Sequence, residues 1–527
     1  MIKFFFKRIS YLFFSFIFIL GGCHPSKKIK DPFILNIHLS AEPDTLNPIT
    51  STDAYSSSIN SHIYENLVER DKDTLEIVPL LAERWQISKD KLRYRFFLKK
   101  GVKWSDGVEL TADDIIYSFN KIKDPQTACA QLKVYYLDVK EVKKIDKYTI
   151  EFKYSKPYFL ALEFCGGIPI VPKHIFADGT DFNTHKNNRF PVGTGPYKFK
   201  EWQTGKKIVL VANENYRGKS PSIKKVVYKL VSESNVALQM LKKGELDYMS
   251  LRPIQWVRQT NSDKFNDKFY KLKYYNPSFN YIGWNSRKSF FSDRRVRQAL
   301  THLINRKAIL DKLKFGLGKI VTGNFYLYSK NYNKNINYLP YDPDQGKKLL
   351  EEAGWLDTNQ DGILDKDGQN FQFTFSIPSS SKFSERLASI LKEDFSKIGI
   401  EMSINKFEWA VFVEKIHKRD FEAVSLGWSL GYSGDPYQLW HSSQIEQGSN
   451  YCAFKDIEAD QIIEQARVEF NDQRRTKMYQ RFHEIIHHHQ PYTFLYCSPS
   501  LVVVSKRFLN VKIHVMGLDF EEWQVAK

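Results

Sequence analysis

The run Gly427-Trp428-Ser429-Leu430-Gly431 has the G-x-S-x-G spacing that in hydrolases presents a nucleophilic serine on a turn from strand to helix. Asp435 and His441 follow in an order a triad can use, and residues 422–426 can supply the preceding strand. The helix that must come next is missing, because Tyr432-Ser433-Gly434-Asp435-Pro436 reads as a turn. A lipid-anchored serine hydrolase is therefore the alternative function, and it requires an exposed Ser429. Asp357, Asn359, Asp361 and Asp365 occupy ligand positions of the first half of a calcium loop, with Gly362 at its turn. Gly368 stands where the bidentate glutamate belongs, so a solvated Asx-rich turn is the expected reading, and any calcium there would be structural. His483 and His487 are four apart, the spacing for one shared ion on a helix face, and His488 and His489 extend the cluster. The expected reading is an exposed helix end with neighbouring histidines, leaving a nickel or chelate receptor as a minor alternative.

Such groups need a body to hold them. A chain of 527 residues, 42% hydrophobic and 26% charged, can bury a substantial core and is expected to form two or three domains. Lys3, Lys7 and Arg8 precede an apolar run at 11–20 that is short for a membrane span and shaped like a signal sequence. Leu20-Gly21-Gly22-Cys23 is similar to a bacterial lipobox, which implies cleavage before Cys23 and a lipid on that cysteine. Several acyl chains on one residue suffice for stable anchoring. On this reading 1–22 is a lipoprotein signal peptide and 23–30 a lipidated tether; the competing reading is an uncleaved N-terminal anchor helix. Removing the signal lowers the formal charge from +18 to about +15. The basic residues are scattered in short clusters such as Lys206-Lys207 and Arg474-Arg475, without the basic helix or aromatic-interleaved sheet of a nucleic-acid module. No nucleic-acid partner is expected, and the charge suits solvation and an anionic membrane surface.

Residues 92–119 read as strand, turn and capped helix. Leu92, Tyr94, Phe96 and Leu98 alternate with more polar neighbours, a glycine-bounded turn covers 101–107, and Thr111 can cap a helix whose apolar stripe is Ile115, Ile116 and Phe119. This run resembles the signature of the family 5 extracellular solute-binding proteins, the peptide-type receptors of ABC importers. Further similar segments follow in order. They are Ala41-Glu42-Pro43-Asp44-Thr45-Leu46-Asn47-Pro48, Tyr64-Glu65-Asn66-Leu67, Gly193-Thr194-Gly195-Pro196-Tyr197, Asn280-Tyr281-Ile282-Gly283-Trp284-Asn285, Tyr341-Asp342-Pro343 and Gln490-Pro491-Tyr492. The resemblance implies an α/β fold of the type II periplasmic-binding-protein kind, with two lobes joined by a hinge and an extra subdomain inserted in the first lobe. Strand-like runs at 208–211 and 224–231 and helical runs at 235–243 and 383–398 agree with that texture. The family layout places the first lobe at 31–70, 195–275 and 498–527, the inserted subdomain at 71–194 and the second lobe at 276–497. It puts Cys129 with Cys165 in one lobe and Cys452 with Cys497 in the other, so these are the expected disulfide pairs; reduced, buried thiols are the other reading.

The implied function is a receptor that captures a peptide or similar solute between its lobes by hinge closure and delivers it to a permease. No catalysis and no cofactor are expected, and a monomer is. In peptide-binding members an aspartate in the second-lobe Gly-Trp motif pairs with the α-amine of the peptide, and the matching position here is Tyr432. Asp435 belongs to a separate Asp-Pro pair that either shapes the loop or substitutes as the amine partner. The resemblance also points to Ala41, Glu42, Pro43 and Thr45 after the first strand, and to Asn280, Tyr281 and Trp284 where the chain enters the second lobe. Trp428, Tyr432 and Trp440 are further aromatic candidates for contact with solute, against the competing role of core packing that most of the 10 Trp, 29 Tyr and 39 Phe must fill. An oligosaccharide receptor is a minor alternative.

Overall fold

A computed structural model describes residues 31–526, so the signal, Cys23 and the tether lie outside the described residues. Two large sheets and one smaller sheet organise the chain. A seven-stranded sheet runs in the order Phe269–Tyr275, Pro499–Ser505, Tyr248–Ser250, Ile34–Leu39, Lys225–Leu230, Lys207–Ala212 and Tyr197–Gln203. A six-stranded sheet runs Lys319–Ile320, Tyr492–Cys497, Ser278–Trp284, Ala423–Ser429, Gln372–Pro378 and Glu401–Phe407. The four-stranded sheet, Ala82–Ile87, Arg93–Leu98, Thr149–Tyr154 and Val139–Asp146, belongs to the inserted subdomain.

The alternation in the sequence produces the third sheet. Tyr94, Phe96 and Leu98 are buried on one face of Arg93–Leu98, while Arg95 on the other face pairs with Glu151 of the neighbouring strand at 2.7 Å. The helix Ala112–Lys123 then starts at a full capping box, Thr111 and Asp114 each satisfying a backbone N–H of the other's end. Its Ile115, Phe119 and Ile122 are buried against the sheet, and Ile116 is half-buried.

The glycines of Gly193-Thr194-Gly195 are explained by close approach. A Cβ at Gly193 would lie 1.9 Å from the Ile63 carbonyl oxygen, and one at Gly195 would lie 2.7 Å from that of His62. The motif presses backbone to backbone where the subdomain returns to the first lobe, and Gly195 N–H donates to the same Ile63 carbonyl at 2.8 Å.

The chain crosses between the two large sheets on neighbouring strands. Phe269–Tyr275 continues through Asn276-Pro277 into Ser278–Trp284, and Tyr492–Cys497 continues through Ser498 into Pro499–Ser505. The paired strands are antiparallel on both sides of the crossing, with Tyr275 opposite Pro499 in one sheet and Asn280 opposite Tyr496 in the other. Asn276 Nδ2 donates to Ser500 Oγ at 3.1 Å, tying the two crossings together. Two adjacent connections of this kind permit rotation of one lobe on the other while holding both in register.

Candidate functional site

A cavity of about 530 Å³ opens between the second lobe and the inserted subdomain. Its volume lies in the ~300–1,000 Å³ range of small-molecule sites. The subdomain's wall comes from the short turn Val134–Tyr136 and the helix Ala161–Gly166. Tyr135 stacks on Phe164 with ring centres 4.4 Å apart, and Tyr158 lies parallel to Phe164 at 5.9 Å. Leu137 projects beyond them and is 70% exposed, an apolar lip on the opening. The opposite wall is the end of strand Ala423–Ser429 and the loop after it, together with Phe325 and Tyr326. Trp428 stacks on Tyr451 at 6.0 Å, and Tyr432 meets Tyr326 edge-on at 6.0 Å while its hydroxyl donates to the Val515 carbonyl at 3.2 Å. Large rings with fixed partners give broad apolar contact at little entropy cost.

Ionic groups stitch the walls together. Asp435 Oδ2 accepts from Tyr158 across the cavity at 2.8 Å and from Arg467 Nε at 3.0 Å, and its Oδ1 accepts from the Tyr437 N–H at 3.0 Å. The Arg467 guanidinium lies 4.6 Å over Tyr158 and 4.2 Å over Tyr437. Burial is the largest influence and opposes its charge, but the Asp435 carboxylate, the Tyr158 hydroxyl and Asp138 together outweigh it, and Arg467 is held above its ordinary pKa. Burial and the same carboxylate push the Tyr158 phenol far up, so it stays a hydrogen-bond donor. Beside them Arg70 grips Glu163 with two nitrogens, at 3.2 and 2.5 Å, and donates to Ser433 Oγ at 2.5 Å.

Of the residues expected from the sequence to touch solute, Trp428, Tyr432 and Asp435 line this cavity. Tyr281, Trp284 and Trp440 do not, and must be corrected to core residues. Tyr281 stacks on Tyr492 at 3.8 Å, Trp284 Nε1 donates to Thr493 at 3.0 Å inside the sheet, and Trp440 packs on Tyr492 at 4.6 Å. Asn280 sits opposite Gly427 in the sheet, away from the cavity lining, and Nδ2 reaches the Tyr496 carbonyl at 3.4 Å. Glu42 accepts from Trp202 Nε1 at 2.6 Å and Gly205 N–H at 3.1 Å, Pro43 is buried, and Thr45 donates to the Asn188 carbonyl at 3.2 Å. These residues, with exposed Ala41, anchor the end of the first strand rather than line the cavity. Sequence reasoning missed Tyr135, Leu137, Tyr158, Glu163, Phe164 and Arg467. The one available signal was the apolar Val134-Tyr135-Tyr136-Leu137 run, too short and irregular for a core strand.

Neither motif that suggested catalysis or calcium assembles a site among the described residues. Ser429 is exposed, but no helix follows its strand until the four-residue Tyr437–Trp440. His441 Nδ1 is engaged by Ser443 at 2.8 Å and its Nε2 faces Glu464 at 3.3 Å, while Asp435 is held by Arg467, so no triad assembles. In the calcium-like loop Asp357 accepts from the Gly362 N–H at 3.0 Å, Asn359 from Asp361 N–H at 3.0 Å, Asp361 from Ile363 N–H at 2.8 Å, and Asp365 from Thr358 Oγ1 at 2.7 Å. Each side chain satisfies its own loop, and no group of ligands that could hold a metal occurs among the described residues.

The expectation of an exposed histidine helix end is corrected by the structure. His483 is fully buried, its Nδ1 accepting from Asn333 N–H and its Nε2 meeting Thr322 Oγ1, both at 3.1 Å. Burial pulls its pKa down to about 3 and that of half-buried His487 to about 4. The expected disulfide pairs are likewise absent. Cys129, Cys165, Cys452 and Cys497 are separate, buried thiols; Cys129 faces the Ile122 carbonyl at 3.6 Å and Cys165 the Tyr154 hydroxyl at 3.4 Å.

Residues 76–450 match the family model described as bacterial extracellular solute-binding proteins, family 5 middle. The chain is 34% identical over 502 residues to the oligopeptide-binding protein AppA of Bacillus subtilis (strain 168), covering 92% of this chain and 90% of that protein. The structure of that protein in complex with a nonapeptide superposes with a TM-score of 0.81 at 33% identity, over 94% of this chain and 99% of the other. NikZ from Campylobacter jejuni in complex with Ni(L-His) superposes with a TM-score of 0.79 at 26% identity, over 94% and 100% of the two chains.

Proposed function

The chain belongs to the bacterial extracellular solute-binding proteins of family 5 and is a solute-binding receptor of an ABC importer; from that premise we propose that its solute is a peptide, held between the second lobe and the inserted subdomain. The observation that carries this reading is the aromatic cavity itself. Tyr135, Tyr158 and Phe164 face Phe325, Trp428 and Tyr432 across about 530 Å³, a surface that accepts varied side chains by area rather than by one fitted pocket. The similarity to a protein whose structure holds a nonapeptide supports the same class of solute.

Rotation about the Asn276-Pro277 and Ser498 crossings opens the cavity, and closure brings Tyr158 to Asp435 and Glu163 to Ser433. A permease reads the closed form and receives the solute on reopening. The chain acts without catalysis, as a monomer, and Cys23 carries the lipid that keeps it at the membrane surface. The protein purified without residues 1–22 and analysed by native mass spectrometry should release heterogeneous peptides in stoichiometric amount on denaturation. Release of a metal chelate or sugar instead would remove peptides from the account, and intact-mass analysis of the full protein from its membrane tests the lipid on Cys23.

A further inference from the structure

The charged groups of the cavity wall are matched inside the protein. Asp435 is committed to Arg467, Tyr158 and the Tyr437 N–H. Glu163 is committed to the Nε and Nη2 edge of Arg70 and to Ser433. The third acid, Asp138, stands at the mouth opposite Lys156 at 3.4 Å, where the lysine is 57% exposed and water is at hand. No carboxylate of the inner wall is left with uncompensated charge. Three polar atoms on residues of the cavity wall have no protein partner, and all are neutral and covered by neighbouring atoms: Asn324 Oδ1, Ser329 Oγ and Trp428 Nε1.

A ligand ammonium brings three donors and a full charge that must leave water. Its favourable partner would be a carboxylate with spare charge, and Asp435 and Glu163 offer none without giving up an arginine. A neutral, acylated N-terminus, by contrast, brings no charge to desolvate, and the peptide's side chains can lie on the rings. Resting on the peptide reading, we propose that the cavity selects peptides whose enclosed N-terminus is uncharged and discriminates against a free α-ammonium.

The test uses the protein lacking residues 1–22, freed of bound solute, and randomised tetrapeptide amides short enough to be enclosed. Half carry a free amine and half are N-acetylated. Retained peptides are counted by mass spectrometry at neutral pH and again at pH above the α-amino pKa of ~8. The expected result is retention of the acetylated set by at least about tenfold over the free-amine set at neutral pH, with the gap closing once the amine is deprotonated. Equal retention, or a preference for the free amine, overturns the inference while leaving the peptide reading intact. Retention of neither set overturns the peptide reading and the inference with it.

Discussion

Arg467 and Asp435 form the least replaceable pair in the site, because each is mostly buried and each is the other's main counter-charge. Replacing Arg467 with Met leaves the carboxylate covered with only Tyr158 and one backbone N–H as partners. Removal of one member of a buried pair is strongly destabilising, and at this partial exposure the loss should be about 2–3 kcal/mol, read as a lower urea midpoint with unchanged slope. His483 makes a second prediction at this scale. The folded protein holds it neutral to about pH 3, while the unfolded chain protonates it near the ordinary histidine value of 6.5. Between those limits the unfolded state binds the extra proton, so stability is complete above pH 6.5 and falls as pH drops through the window. The slope is about 1.4 kcal/mol per pH unit for one such histidine, and His487 adds to it over the shorter window above about 4. Denaturation at stepped pH should show this slope, and His483→Gln should flatten it by one proton. Tyr432 and Asp435 were legible in the sequence because they belong to one contiguous motif. Tyr135 and Phe164 were not, since their place opposite that motif is set only when the inserted subdomain docks on the second lobe.

The elements that place these residues rest on local rules readable along the chain. The strand Arg93–Leu98 and the capped helix Ala112–Lys123 follow directly from alternation, the turn and the Thr111–Asp114 box. Thr111→Ala should therefore cost about 1 kcal/mol, seen as a lower thermal midpoint without change in solute binding. Gly193→Ala is the harsher test of the same subdomain. Its Cβ would fall 1.9 Å from backbone, not from a side chain that can swing aside, so the loss should reach or exceed the top of the ~1–3 kcal/mol range for overpacking. What alternation could not reveal was which face of a sheet meets solute. Strand Ser278–Trp284 carries Phe279, Tyr281, Ile282 and Trp284, and the sequence offered Tyr281 and Trp284 as binding candidates. In the structure both faces of that strand are covered, Ile282 and Trp284 packing into one hydrophobic core and Phe279 and Tyr281 into another on the opposite face. The cysteine pairs failed for a related reason: residues in the same lobe need not approach, and each thiol is enclosed by its own local packing.

At the scale of the molecule, the two crossings between the large sheets make the cavity a moving part. The contacts Tyr158 to Asp435 and Glu163 to Ser433 span it, and under the proposed hinge closure they are the ones lost on opening. Tyr158→Phe removes one of them without changing the ring, so small-angle scattering of the solute-free variant should report a more expanded average than the parent, and saturating peptide should restore compaction. The family's order of motifs made the two-lobe plan readable from the chain, whereas the contribution of the inserted subdomain to the cavity emerged only from the three-dimensional arrangement. The most direct measurement of the central claim is backbone hydrogen exchange of the solute-free protein with and without added peptide. The account predicts new protection at 134–137, 158–164 and 428–437, the two facing walls. Protection confined to 41–45 and the end of the first strand, with those walls unchanged, would contradict it.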